Sequence, residues 1–151
     1  MHKELIETIE FQITEVDRLF EEYDLFFQNM NYEEPDLVQI TVMANIIHSF
    51  YTGVEKIFEK VSKGIDSYIV TGNKSHQELL DNMCTKNDNR EALINKDIYL
   101  VLNEYMKFRH VFRHGYSFQL NWGKMKPLAE SLFNTWDKLK EQITAFIKSN
   151  I

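Results

Sequence analysis

The apolar residues of this chain recur at helical spacing almost from end to end, and little interrupts them. Leu5, Ile6, Ile9, Phe11, Ile13, Val16, Leu19, Phe20, Tyr23, Phe26 and Phe27 alternate with acids as one face of a helix over residues 3–30. Val38, Val42, Ile46, Phe50, Val54, Ile57, Val61 and Ile65 form a second stripe over residues 36–65, widened by Met43, Ile47, Tyr51 and Phe58, so this helix is expected at the centre. Gly53 in its interior would let another helix approach closely. A short helix is expected over His76–Met83 with Ser75 as its N-cap, and a further one from about Asn95 to His114, ended by Gly115. The last runs from Lys124 or Met125 to about Ser149, with Pro127 in its first turn. Residues 66–75 are a loop with a turn at Gly72-Asn73, Thr85–Arg90 is polar and expected to be exposed, and Ser117–Gly123 is a connection. Five Gly and two Pro in 151 residues are too few turn formers for an all-β chain. The expectation is one all-α domain over residues 1–151, an antiparallel helical bundle of four long helices plus a short one.

Several classes fall away early. No apolar run approaches the roughly 18 residues of a membrane helix, and Met1-His2-Lys3-Glu4 does not open a signal peptide. Cys84 is the only cysteine, which excludes an internal disulfide and a Cys-rich metal site, so a reducing cytoplasm is the expected compartment. There is no Gly-rich phosphate loop and no internal repeat. No cofactor, resident metal or membrane contact is expected.

The net charge of −6 conceals an uneven distribution: residues 1–40 carry −9, residues 41–104 carry −2 and residues 105–151 carry +5. From Tyr105 through Ala129 there is no acid, while Lys107, Arg109, Arg113, Lys124 and Lys126 are present. That segment would attract a polyanion that the average protein repels. The other reading is internal: the basic stretch lies against the acidic first helix and is neutralised there.

Within the basic stretch, Lys107-Phe108-Arg109-His110-Val111-Phe112-Arg113-His114-Gly115-Tyr116 holds two of the five histidines and two of the four arginines. On a helix, Arg113 falls at about 40°, His110 at about 100° and His114 at about 140° from Arg109. Four cationic or titratable groups thus share less than half of the circumference. Val101, Tyr105, Phe108, Val111 and Phe112 cover most of the remainder and should face the core. Leu102 and Met106 fall within or beside the polar arc, which points either to an oligomer contact or to packing within the chain.

Arg and His in one cleft suit cleavage of an RNA phosphodiester without metal. An imidazole can take the proton of the ribose 2′-OH or protonate the leaving oxygen. A fixed guanidinium can hold the negative charge that grows on the phosphoryl oxygens. No carboxylates cluster in the basic segment to hold Mg²⁺ there. Glu55 lies close to the apolar stripe of the central helix, and a partly buried carboxylate needs a partner, for which Arg109 and Arg113 are the candidates. His48, among apolar residues, is expected to be a satisfied core histidine, and His76 to cap or pack locally. Trp122 and Phe118 are expected to pack in the connection, with stacking on unpaired bases as the alternative. Cys84 lacks an activating basic neighbour other than Lys86.

Four ordered pieces resemble one family. Phe108–Tyr116 resembles the Arg-x4-His-x-Tyr signature of HEPN-domain toxins of the HepT-like group. Phe50-Tyr51-Thr52-Gly53-Val54-Glu55-Lys56-Ile57-Phe58-Glu59 resembles that group's second helix. Ser75-His76-Gln77-Glu78-Leu79-Leu80 resembles its Trp-His-x-x-Leu-Leu element, and Leu120-Asn121-Trp122 the segment after the signature. Ser75 stands where the group usually has Trp, and Thr85–Arg90 is less Pro-rich than in many relatives. The resemblance implies a HEPN-like homodimer whose two signatures face a shared cleft, and a metal-independent ribonuclease with Arg109 and His114 as the catalytic pair. Beside that pair, Arg113 and His110 are expected as supporting contacts to the RNA backbone or across the dimer, with Lys107 as a further RNA-binding or supporting residue. A nucleotidyltransferase antitoxin would restrain the toxin by transferring AMP to Tyr116. Two other readings stay open: a non-catalytic HEPN-like module that binds RNA or a nucleotide, and a purely structural bundle.

Overall fold

In the computed structural model, residues 2–150 are described, apart from the side chain of Ser117. Six α-helices and one 3₁₀ turn form the described chain: α1 His2–Glu22, α2 Asp24–Asn29, α3 Leu37–Gly64, α4 Ser75–Met83, α5 Lys96–His114, the turn Ser117–Gln119, and α6 Trp122–Asn150. The four long helices and the all-α class match the sequence reading.

The centre is α3, which packs on α1, α4, α5 and α6. Asp36 caps it, its carboxylate accepting the N–H of Gln39 at 2.8 Å. From Met43 to Ser62 the helix buries twelve side chains, including Phe50, Tyr51, Phe58 and the charged Glu55. It is also long and apolar enough to cross a membrane, a property shared by central core helices. Its partner α1 runs antiparallel: Val16 sits against Gly53 and Leu5 against Gly64. A Cβ at Gly53 would lie 2.7 Å from Val16 Cγ2, so the expected close approach at this glycine is present. Asp17 on α1 accepts from the Trp136 indole at 2.7 Å and from Lys140 at 3.0 Å, tying α1 to α6. Tyr105 on α5 donates to the Leu128 carbonyl at 2.6 Å, and the Asn95 N–H to Gln142 at 2.9 Å, so α5 and α6 are antiparallel as well.

Four expectations change, while Gly115 ends its helix as expected, in an extended conformation with φ −117°. The first predicted helix is two, because Tyr23 breaks the ladder while the apolar spacing continues across it. Ser75 is the first helical residue of α4 rather than its N-cap, which is Lys74 without a side-chain bond. The last helix starts one turn early, because Asn121 accepts the Lys124 N–H at 3.1 Å and the Trp122 indole anchors on the Tyr32 carbonyl at 2.8 Å; Pro127 therefore lies inside it. Finally, Arg90 is buried, not exposed with its polar segment. It donates two bonds of 2.9 Å to Asp66, its other donors going to the carbonyls of Asn82, Thr85 and Glu91.

Candidate active site

The last two turns of α5 overhang the core. Its buried residues are Ile98, Leu102 and Tyr105, and none follows. Leu102 is thus fully buried and not part of an exposed arc, so it gives no support to an oligomer contact. Val111, expected to face the core, is 59% exposed because it lies on the opposite face of α5, about 180° from the buried Leu102, while Phe112 beyond it still packs on the core. Phe108 and Phe112 are half-buried and stack on one another at 6.1 Å.

This overhang and the start of α4 bound a cleft of about 600 Å³. Lys107, Arg109, His110, Arg113 and His114 all line it, with Lys74, His76 and Gln77 from the opposite wall. Tyr116 is not among the lining residues; it lies beyond the helix end, 71% exposed, its ring parallel to Phe118 at 5.5 Å. Phe118 is itself 68% exposed, so it does not pack in the connection as expected, whereas Trp122 does.

At the floor of the cleft is a buried ionic cluster. Glu55, its side chain 5% exposed, holds Arg109 Nη1 at 3.2 Å and His76 Nδ1 at 2.7 Å. The same Nη1 lies 3.1 Å from His76 Nδ1 and 3.2 Å from Nε2. Arg109 is therefore the partner that Glu55 needs, and Arg113 is not. A carboxylate so enclosed is tolerable only with such charge-assisted partners. The guanidinium is pinned by one nitrogen, and Nε is buried without a partner. Tyr51, one turn before Glu55, has a buried hydroxyl with no partner, and burial together with the Glu55 charge pushes its pKa above the ordinary 10.0.

The remaining cationic groups are free. His110, Arg113 and His114 are exposed and form no ion pair among the described residues, and Lys107 pairs only with exposed Glu104 at 3.7 Å. No ion pair among the described residues links α1 to α5, so the acidic first helix does not neutralise this stretch; Lys126 alone pairs with a residue of the acidic arm, Glu33 at 2.9 Å. His110 and His114 face each other at 4.6 Å between ring centroids. Among the described residues no three His, Cys, Asp or Glu side chains converge as metal ligands would.

Two histidines depart from expectation. His76 does more than cap or pack locally; it is part of the site, brought there by a contact across 21 residues of sequence that no local pattern carries. His48 is not satisfied: its Nε2 is buried without a partner, because α5 offers it the ring of Phe112 at 5.1 Å. Burial, and then the guanidiniums of Arg109 and Arg113, lower its pKa below 6.5.

No curated protein and no solved structure matches the chain. The model of one family, described as HepT-like protein, matches residues 42–150, from within α3 to the end of α6. That span contains Glu55, His76 and the whole of the cleft, and by it the chain belongs to the HepT-like family of HEPN proteins.

Proposed function

We propose that this protein is a metal-independent endoribonuclease toxin acting as a homodimer, with Arg109 and His114 as its catalytic pair. The observation that carries the reading is the cleft: a guanidinium anchored on a buried carboxylate, facing a wall of unpaired imidazoles and cations. Anchoring by Nη1 alone leaves the rest of the Arg109 guanidinium to meet a phosphate, where it would stabilise the charge of the pentavalent transition state. His114 moves a proton at the ribose or at the leaving oxygen. His110, Arg113 and Lys107 hold the flanking phosphates, since an exposed unpaired cation loses little on meeting one.

Two regulatory elements belong to the same reading. The exposed, apolar Val111 at the mouth of the cleft supports a second copy packing there. The exposure of Tyr116 supports its modification by a nucleotidyltransferase antitoxin, whose transferred AMP would place a bulky anion beside the cleft. The site of action expected for such a pair is the cytoplasm.

The test is direct. Purified protein, with Tyr116 shown unmodified by intact mass, is incubated with bulk RNA in EDTA beside its His114→Ala variant. Cleavage by the first and not by the second is the expected result. RNA retained on a filter by both, and cut by neither, would favour a non-catalytic binding module.

A further inference from the structure

Transfer of RNA to a cyclic phosphate moves two protons: one leaves the 2′-OH and one arrives at the 5′-oxygen. His114 accounts for one, and its neighbour His110 has no carboxylate partner among the described residues to orient its ring. The geometry points to His76 as the second proton-transfer group, acting as the general base with Glu55 behind it; this inference rests on the ribonuclease reading above.

Three observations carry it. His76 lines the same cleft as His114, from the opposite wall. Its ring is fixed from behind: Nδ1 lies 2.7 Å from Glu55 Oε2, whose side chain is 5% exposed while that of His76 is 47% exposed. An ionised carboxylate accepts and does not donate, so Nδ1 carries the proton and the lone pair is on Nε2. This is the arrangement by which a buried acid selects an imidazole's tautomer and stabilises the imidazolium it becomes. Third, Arg109 Nη1 rests 3.2 Å from that Nε2. The guanidinium that would hold the phosphate therefore touches the ring that would take the proton, while its Nη1 stays on Glu55.

The step balances without a co-reactant. His76 Nε2 takes the proton of the 2′-OH, and the 2′-oxygen forms its bond to phosphorus. The bond from phosphorus to the 5′-oxygen breaks, the electron pair staying on oxygen, and His114 delivers a proton there. The products are a 2′,3′-cyclic phosphate and a 5′-OH. Glu55 is a positioning residue in this scheme, since it acts through His76 and Arg109.

The experiment uses the full chain and a short RNA cut out of bulk RNA by the unaltered protein, synthesised a second time with sulfur in place of the bridging 5′-oxygen. A thiolate leaves without a proton, so this substrate spares the general acid and not the general base. His76→Ala and His76→Gln should each slow cleavage of the oxygen substrate by about 100-fold or more, and should stay slow on the sulfur substrate. His114→Ala should be slow on the first and largely recovered on the second. Cleavage by the His76 variants at the unaltered rate would overturn the inference, as would recovery of their activity by sulfur. Failure of the unaltered protein to cut any RNA would instead overturn the ribonuclease reading. Independently of activity and of how the variants fold, the ¹⁵N spectrum of the unaltered protein should show neutral His76 protonated at Nδ1; protonation at Nε2 would sink the assignment.

Discussion

Arg90 and Arg109 are both guanidiniums set against a shielded carboxylate, and the molecule treats them in opposite ways. Arg90, its side chain 1% exposed, spends itself completely: a two-pronged grip on Asp66 and three backbone carbonyls around it. Arg109, 14% exposed, reaches Glu55 and His76 with a single nitrogen and leaves Nε orphaned. A saturated guanidinium is a staple, here closing the polar loop between α4 and α5. An unsaturated one keeps a donor in reserve: Nε is buried, but Nη2 makes no hydrogen bond among the described residues, and such a donor at the floor of an open cleft is what an anion can use.

The contrast can be broken by experiment. Arg90→Met should cost about 3–5 kcal/mol in urea unfolding, because it takes the charge partner from Asp66, leaving it the Asn87 amide, and removes three bonds to backbone carbonyls around the loop. Arg109→Met should cost clearly less, since His76 remains on Glu55; equal losses would mean that both arginines are merely structural. Arg109→Lys should leave the melting temperature near that of the parent while lowering RNA cleavage by about 100- to 1000-fold, because an ammonium cannot hold Glu55 and a phosphate at once. Gly53→Ala supplies a yardstick for packing remote from either arginine. The added methyl meets Val16 and should cost about 1–3 kcal/mol, part of which Val16→Ala in the same chain should restore.

The smallest effect concerns pH. His48 is neutral in the fold and its pKa lies below the ordinary 6.5, so the unfolded chain binds the extra proton first. Stability from this group is present above pH 6.5 and is lost as the pH falls through the lowered folded value. Melting temperatures recorded downward from about pH 7.5 should decline, and less so in His48→Leu. Arg109→Met should also flatten the slope, whereas Arg90→Met should not; that difference separates the two arginines once more.

How much of this was legible beforehand depends on how local the signal is. The long helices show themselves through apolar spacing, and Asn95 is the cap that its position before Lys96 suggests, accepting the Ile98 N–H at 2.9 Å. The break at Tyr23 is silent, because the stripe resumes in phase beyond it. Pro127 misplaces the start of α6, because proline marks a first turn on average while Asn121 and Trp122 secure an earlier one. In the site, the cations of α5 are legible because they lie within one segment. The partner of Glu55 could be narrowed to two arginines by charge alone. His76 could not be placed, since its membership depends on how α4 docks against α3 and α5, a tertiary fact. Val111 misled for a related reason: apolar residues cover most of the α5 circumference, and only docking tells that the core lies on the side of Leu102 and not of Val111.

The seat of α1 on Gly53 has a consequence beyond packing. Residues 1–40 carry −9, and the rest of the chain, taken alone, would be +3. More than half of that −9 sits on α1, whose seven acids outnumber its two bases. Held against α3 and tied to α6 through Asp17, α1 presents a fixed layer of negative charge that dilution cannot remove and salt can only screen. A long polyanion is turned away from most of the surface and finds its welcome confined to one mouth. One absent methyl group thus fixes how closely that layer of charge is held to α3.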